Sequence, residues 1–294
     1  MTNTFTGTGV ALVTPFDETG KIDFAALERL VQLQIDGKTD FLVVQGTTGE
    51  SPTLSEDEKL EVLQCVIAKN QGRLPIVYGV GGNHTIAVGE KLKKVPKGVD
   101  GILSVSPYYN KPTQKGILAH YQHLAGCTDL PIILYNVPGR TGSNVLPDTT
   151  LILAEIPNIV AMKEASGNME QIMDLIRLKP QGFGILSGDD AITMPLIATG
   201  ADGVISVVAN AFPEEFNKMV HSIMKGDVET ARKAHLNLLP ITKMLFEEGN
   251  PGGVKVALEA RGIMEGHLRL PLYPVSDNLS QRIRIETDRL VAGL

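Results

Sequence analysis

The run Ile159-Val160-Ala161-Met162-Lys163-Glu164-Ala165-Ser166-Gly167 sets an ammonium inside apolar sequence that reads as a buried strand ending in a glycine-containing turn. Burying that cation is costly unless it is paired or neutral. A neutral lysine amine is also the group that adds to a carbonyl, so Lys163 is a candidate nucleophile. The structural alternative is a lysine at a strand end whose head reaches water. Amine catalysis on a ketone passes through an imine to an enamine carbon nucleophile. Each step moves a proton at the nitrogen or at the departing oxygen. Tyr135, in Pro131-Ile132-Ile133-Leu134-Tyr135, is a candidate for that transfer if hydroxyl groups hold its phenol. Arg140, permanently charged and fork-shaped, suits bidentate recognition of a carboxylate. Backbone amides near Thr47 and Thr48, in Gln45-Gly46-Thr47-Thr48-Gly49-Glu50-Ser51, suit a second carboxylate. Singly, each has a structural explanation: glycines for a turn, a core tyrosine, a surface arginine. Their convergence at strand ends is what points to chemistry.

The elements that would position them follow from a recurring pattern. Short runs rich in Val and Ile occur at Gly9–Val13, Phe41–Val44, Pro75–Tyr78, Gly101–Val105, Pro131–Tyr135, Ile159–Met162, Phe183–Leu186 and Gly203–Val208. Continuous apolar runs suit parallel strands covered on both faces, and spacings of roughly 20–35 residues suit strand–helix–strand units. Between them lie helical patterns, with Phe24, Leu27 and Val31 on one face of the first and Leu60, Leu63 and Ile67 on one face of the second. Ser55-Glu56-Asp57-Glu58 predicts a capping box, and Pro147-Asp148 and Pro213-Glu214-Glu215 predict helix starts. Eight such repeats predict an α/β fold, a (β/α)8 TIM barrel. An open doubly wound sheet is the alternative, but no Gly-x-Gly-x-x-Gly follows the first strand, and Gly79-Val80-Gly81-Gly82 reads as a tight turn. Beyond about Gly226 only helical patterns remain, at Asp227–Glu247, Val254–Arg261 and Ser276–Leu290. This predicts a barrel over residues 1–225 and a C-terminal helical appendage over 226–294.

Composition narrows the function classes. The 294 residues are 43% hydrophobic and 20% charged, with a net charge of −6, which gives no electrostatic case for nucleic acid. Cys65 and Cys127 both fall in stretches read as helical, so a disulfide framework is not expected. The stretch Met1–Phe5 shows no secretory pattern, and no run is apolar for long enough to span a bilayer. A cytoplasmic protein without membrane partners is the expectation. Asp189-Asp190 raises a metal-dependent aldolase or hydrolase, but neighbours on a strand point to opposite faces and no histidine sits at a strand end. His120-x-x-His123 reads as a helical surface or interface pair. No metal is expected.

Together, Gly46-Thr47-Thr48-Gly49-Glu50-Ser51, Tyr135-Asn136-Val137-Pro138-Gly139-Arg140-Thr141 and Val160-Ala161-Met162-Lys163-Glu164 resemble the dihydrodipicolinate synthase (4-hydroxy-tetrahydrodipicolinate synthase) family. That family lies in the pyruvate-dependent class I aldolase superfamily, which also holds N-acetylneuraminate lyase. The resemblance runs from Gly9-Val10-Ala11-Leu12-Val13-Thr14-Pro15-Phe16 to Asn250-Pro251-Gly252-Gly253-Val254-Lys255. It implies that Lys163 forms a Schiff base with pyruvate and needs no other cofactor. It implies a proton relay of Tyr135, Thr47 and Tyr109, with Tyr109 entering the site of a neighbouring subunit. Arg140 would hold the carboxylate of aspartate semialdehyde, Thr48 that of pyruvate, and Ile205 would help position pyruvate through its backbone. The implied product is hydroxytetrahydrodipicolinate, on the route to diaminopimelate and lysine, made by a homotetramer built as a dimer of dimers. Sialic acid lyases lack the counterpart of Arg140, which favours a short acidic aldehyde over N-acetylmannosamine. A non-catalytic regulator on the same barrel would have lost the lysine or the tyrosine. Feedback-inhibited relatives bind L-lysine near Ser51–Lys59 and Asn83–Ala87, where histidine and glutamate are usual. Here Glu56, Lys59 and Ala87 stand instead, which implies weak or absent inhibition.

Overall fold

The computed structural model describes residues 5–293. Eight parallel strands close on themselves in chain order: β1 (Gly7–Ala11), β2 (Phe41–Val44), β3 (Ile76–Gly79), β4 (Gly101–Val105), β5 (Ile132–Asn136), β6 (Ile159–Glu164), β7 (Gly184–Ser187) and β8 (Gly203–Ser206). Around them run α1 (Phe24–Asp36), α2 (Glu56–Asn70), α3 (Thr85–Leu92), α4 (Gln114–Ala125), α5 (Pro138–Thr141), α6 (Pro147–Ala154), α7 (Met169–Leu178), α8 (Thr193–Ala198) and α9 (Pro213–Met224). The chain continues through α10 (Val228–Glu247), α11 (Gly252–Ala260) and α12 (Asp277–Ala292). The architecture is the expected (β/α)8 barrel with a helical C-terminal segment, in which α10 packs on α9 and α11 on α12.

Strand alternation divides the core in two. Val43, Leu103, Ile133, Tyr135, Ala161, Leu186 and Ile205 fill the lumen, while Leu42, Leu134, Met162, Ile185 and Val204 pack under the helices. Both faces are dry, which is why the strands read as unbroken apolar runs rather than alternating ones. The closing β1–β8 seam requires Gly203: with φ at 156°, a Cβ there would stand 2.2 Å from the Gly7 carbonyl oxygen.

Helix starts follow the sequence signals. Ser55 and Glu58 form a reciprocal capping box on α2, and Pro147 and Pro213 open α6 and α9. Asp23, Thr113, Asn168, Asp227 and Ser276 cap other helices with side-chain oxygens, each cap worth about 1 kcal/mol.

Several expectations need correction. The first strand begins at Gly7, which pairs with Gly203 of β8, while Leu12 and Val13 lie beyond the strand. In α2 the buried face is Val62, Leu63, Val66 and Asn70, leaving Leu60 at 40% exposure. Cys127 lies in the turn after α4 rather than in a helix, and both cysteines are free. His120 is no surface residue. It is 4% exposed and shares a 2.9 Å hydrogen bond with Thr85, and burial lowers its pKa to about 4. Val208 leaves the eighth strand for a short 3-10 turn.

Candidate active site

Tyr135 and Lys163 are register partners on the neighbouring strands β5 and β6. Both have lumen parity, and Lys163 Nζ stands 4.3 Å from the centroid of the Tyr135 ring. Neither is more than 6% exposed. Beyond them the end of β7 makes room: a Cβ on Gly188 would fall 3.0 Å from Lys163 Cε and 2.6 Å from Ala165 Cβ. Glycine at 188 leaves the lysine stem its path along the lumen. Ile205 sits in the same lumen two strands further on, paired with Gly9 across the seam.

A cavity of about 510 Å³ opens at the C-terminal ends of the strands, lined by Thr47, Tyr78, Tyr108, Tyr135, Arg140 and Thr141 among others. Its outer wall runs on to Glu56, Lys59 and Lys91. Arg140 follows Pro138 in the single turn of α5, on the exposed rim. Thr47 opens a 3-10 turn at the cavity wall, and Thr48, next along, is buried with its hydroxyl accepting from Asn250 Nδ2 at 3.1 Å. Tyr109 does not join the others within the chain. It is 87% exposed, at a φ of 69°, with its amide donating to Thr141 O, while Tyr108 turns to the cavity.

Two polar clusters hold these groups from outside the lumen. Glu164 follows Lys163 with the opposite parity and is fully buried. Its carboxylate accepts from Asn136 Nδ2 at 2.9 Å, Ser166 N at 2.7 Å and Gln171 Nε2 at 3.3 Å. Burial pushes this carboxyl above the usual range against the pull of those donors. Asn136 Oδ1 in turn accepts from Val145 N, so the same cluster pins the far end of the loop that carries Arg140. On the other side, Asp190 is buried and accepts from Val207 N and Val208 N, fixing the chain just past Ile205. Asp189 instead caps the turn below through Ala191 N. The two carboxylates lie in the loop after β7, not on the strand, and diverge. Among the described residues no group of three or more His, Cys, Asp or Glu could hold a metal ion.

Comparison with known proteins shows the family. Residues 4–287 match the Dihydrodipicolinate synthetase family. The chain belongs to that family. A 4-hydroxy-tetrahydrodipicolinate synthase of Parabacteroides distasonis is 51% identical over 280 residues, covering 95% of this chain and 94% of that protein. The crystal structure of dihydrodipicolinate synthase from Thermotoga maritima superposes with a TM-score of 0.95 at 41% identity, covering 98% of this chain and 99% of that one. A structure described as the first monomeric dihydrodipicolinate synthase variant also superposes at 0.95, with 40% identity, 98% of this chain and 97% of that one covered.

Several residues of this family site are not evident from the sequence pattern. Asn136 and Glu164 are polar residues at strand ends, a place that invites a catalytic reading, yet they serve the loops. Gln45, 4% exposed at the cavity wall with a φ of 64°, has no protein partner at either end of its amide. Lys255 carries a signal of its own: a single cation within Gly252-Gly253-Val254-Lys255-Val256-Ala257-Leu258.

Proposed function

We infer that the chain condenses pyruvate with L-aspartate 4-semialdehyde to give 4-hydroxy-tetrahydrodipicolinate, a lyase of the class I aldolase type in lysine and diaminopimelate biosynthesis. The observation that carries this reading is the Tyr135–Lys163 pair, register partners within one dry lumen beneath a cavity rimmed by Arg140.

In this reading the neutral Lys163 amine adds to C2 of pyruvate, and the carbinolamine loses water to give a protonated imine. Tyr135 passes protons between the nitrogen and the departing oxygen, with Thr47 and a partner's copy of Tyr109 completing the relay. Loss of a proton from C3 gives the enamine, whose carbon bonds to the aldehyde carbon of the second substrate. The amino group of that substrate then adds to the imine carbon, and expulsion of the Lys163 amine closes the ring and restores the enzyme. No cofactor besides the covalent pyruvate imine enters. Thr48 and the Ile205 backbone position pyruvate, and Arg140 binds the carboxylate of the semialdehyde bidentately.

The exposure of Tyr109 and its left-handed backbone support a site completed by a second copy of the chain, within a dimer of dimers. Sedimentation velocity tests the assembly. Among the described residues no helix is long and apolar enough to cross a membrane, which fits work in the cytoplasm.

The decisive experiment is borohydride reduction in the presence of pyruvate, followed by peptide mass spectrometry. A pyruvate adduct on Lys163 is expected, and label elsewhere or none refutes the reading. A coupled assay should show turnover of pyruvate with aspartate semialdehyde and not with N-acetylmannosamine. Arg140→Ala should impair the semialdehyde step more than imine formation.

A further inference from the structure

Glu50 and Lys255 lie 205 positions apart in sequence and meet at 2.6 Å with both side chains at 0% exposure. Lys255, in α11, also donates from Nζ to the His267 carbonyl at 2.7 Å and stands 4.4 Å from the Phe16 ring centroid. Glu50 sits directly after the Thr47–Gly49 turn, in the left-handed region with φ at 55°, and its second oxygen accepts from Arg269 N. Arg269 donates further to Thr53 O. Five residues before Lys255, Asn250 donates to the Thr48 hydroxyl.

A buried ion pair is a poor device for stability alone, because apolar residues of similar volume stabilise a core as well or better. A non-glycine residue held at positive φ costs more still. What such a pair supplies is direction, since charge attraction in a dry interior tolerates little misplacement. Here it acts on the turn that presents Thr47 and Thr48, and from one short segment, Asn250 to Lys255. Thr14 Oγ1, donating to Gly49 O at 2.6 Å, holds the same turn from the barrel side.

We propose that Asn250, with the Glu50–Lys255 pair, is a positioning unit of the C-terminal segment that sets the Thr48 hydroxyl for the carboxylate of pyruvate. A hydroxyl has one hydrogen. When Thr48 accepts from Asn250, that hydrogen is directed away from the C-terminal segment and is free for an incoming carboxylate oxygen. The ion pair fixes where the turn stands; Asn250 fixes which way its hydroxyl donates. The inference rests on the role given to Thr48 above.

The test compares Asn250→Ala, Asn250→Asp and the double variant Glu50→Gln/Lys255→Met with the parent enzyme in steady-state kinetics. Melting curves are run alongside. The double variant replaces the pair by neutral groups of similar size, so no charge is left buried alone. Asn250→Ala and the double variant should raise KM for pyruvate about tenfold, the worth of one hydrogen bond to a charged group. KM for aspartate semialdehyde should stay within about twofold. Asn250→Asp should raise the pyruvate KM further than alanine does, because a carboxylate there takes the Thr48 hydrogen for itself. Pyruvate KM values within about twofold of the parent in the Asn250 variants overturn the proposal, whatever the melting curves show. If the double variant does not fold, the two Asn250 variants decide alone. A parent enzyme that forms no borohydride-trapped pyruvate adduct would instead remove the functional reading beneath the proposal, a separate result.

Discussion

Glu164→Gln is the sharpest test of how the two strands at the site are held. The native carboxylate takes hydrogen bonds from three donors, Ser166 N at Oε1 and both Asn136 Nδ2 and Gln171 Nε2 at Oε2. Glutamine offers one carbonyl oxygen and one NH2, so its donor must face Asn136 and Gln171 Nε2, or Ser166 N. Turning the Gln171 amide does not relieve the conflict, since its Oε1 already accepts from Asn144 Nδ2 at 2.8 Å. One donor is therefore orphaned in a site with no exposure, and the remaining bonds lose charge assistance. Together these cost about 3 kcal/mol. For a chain of this size that lowers Tm by roughly 6–12 °C. Differential scanning calorimetry measures it directly. The functional part of the prediction is selective: the cluster pins the loop carrying Arg140, so KM for aspartate semialdehyde should rise while borohydride still traps pyruvate on Lys163. A Tm change smaller than about 2 °C, with semialdehyde kinetics unchanged, would show that the cluster does not hold the loop.

Three other outcomes are expected. Tyr135→Phe keeps the ring against Lys163 but removes the phenol, so kcat should fall about 10²–10⁴-fold with little change in Tm; turnover near the parent rate would exclude Tyr135 from the relay. Arg269 holds the Glu58 carboxyl down at about 2, below its ordinary 4.5. The unfolded chain takes up that proton first, so the stabilisation is complete above pH 4.5 and is lost as pH falls from there toward 2. Solvent screening at this partly exposed pair limits it to about 1 kcal/mol, and Glu58→Gln should flatten the acid arm of a Tm-against-pH curve. An unchanged acid slope would count against it. Lastly, L-lysine should inhibit weakly or not at all: Glu56 is already taken by Lys59 and Lys91, each at 2.9 Å, and Ala87 offers no carboxylate. A strong effect at sub-millimolar lysine would contradict this.

The barrel was legible because each strand is dry on both faces, and only a few residue types tolerate that. Lys163 and Tyr135 stand out for the opposite reason: each is a polar residue in such a run. Strand pairing fixes what sequence spacing cannot, namely that residue 135 stands opposite 163 rather than two places away. The α2 face was misread because Leu60 carries the helical period but lies over the cavity wall instead of the sheet. His120 looked like half of a surface pair because nothing nearby in sequence reveals Thr85, its partner on α3. Glu50 and Lys255 were invisible as a pair for the same reason, with the partner of each charge more than 200 positions away.

Alternation along the strands explains why chemistry and support can sit side by side without interfering. On β5 the lumen residue Tyr135 is followed by Asn136, and on β6 Lys163 is followed by Glu164. The first of each pair faces the lumen; the second, one residue on and therefore on the other face, ties the outgoing loop. Neither supporting residue needs access to substrate, so both can be buried with their polar groups satisfied, which a reacting group cannot afford. Lys163 illustrates the difference. Its amine has an aromatic face rather than a carboxylate for a neighbour. The anionic partner stands instead at the next residue, turned away into the loop cluster. A carboxylate placed in the lumen beside Lys163, as in Gly188→Asp, should suppress imine formation, because a neighbouring carboxylate favours the ammonium over the free amine that adds to a carbonyl. Trapping yields that recover as pH rises would support this separation of roles. Yields equally low at every pH would mean that the new side chain merely blocks the space that glycine leaves open.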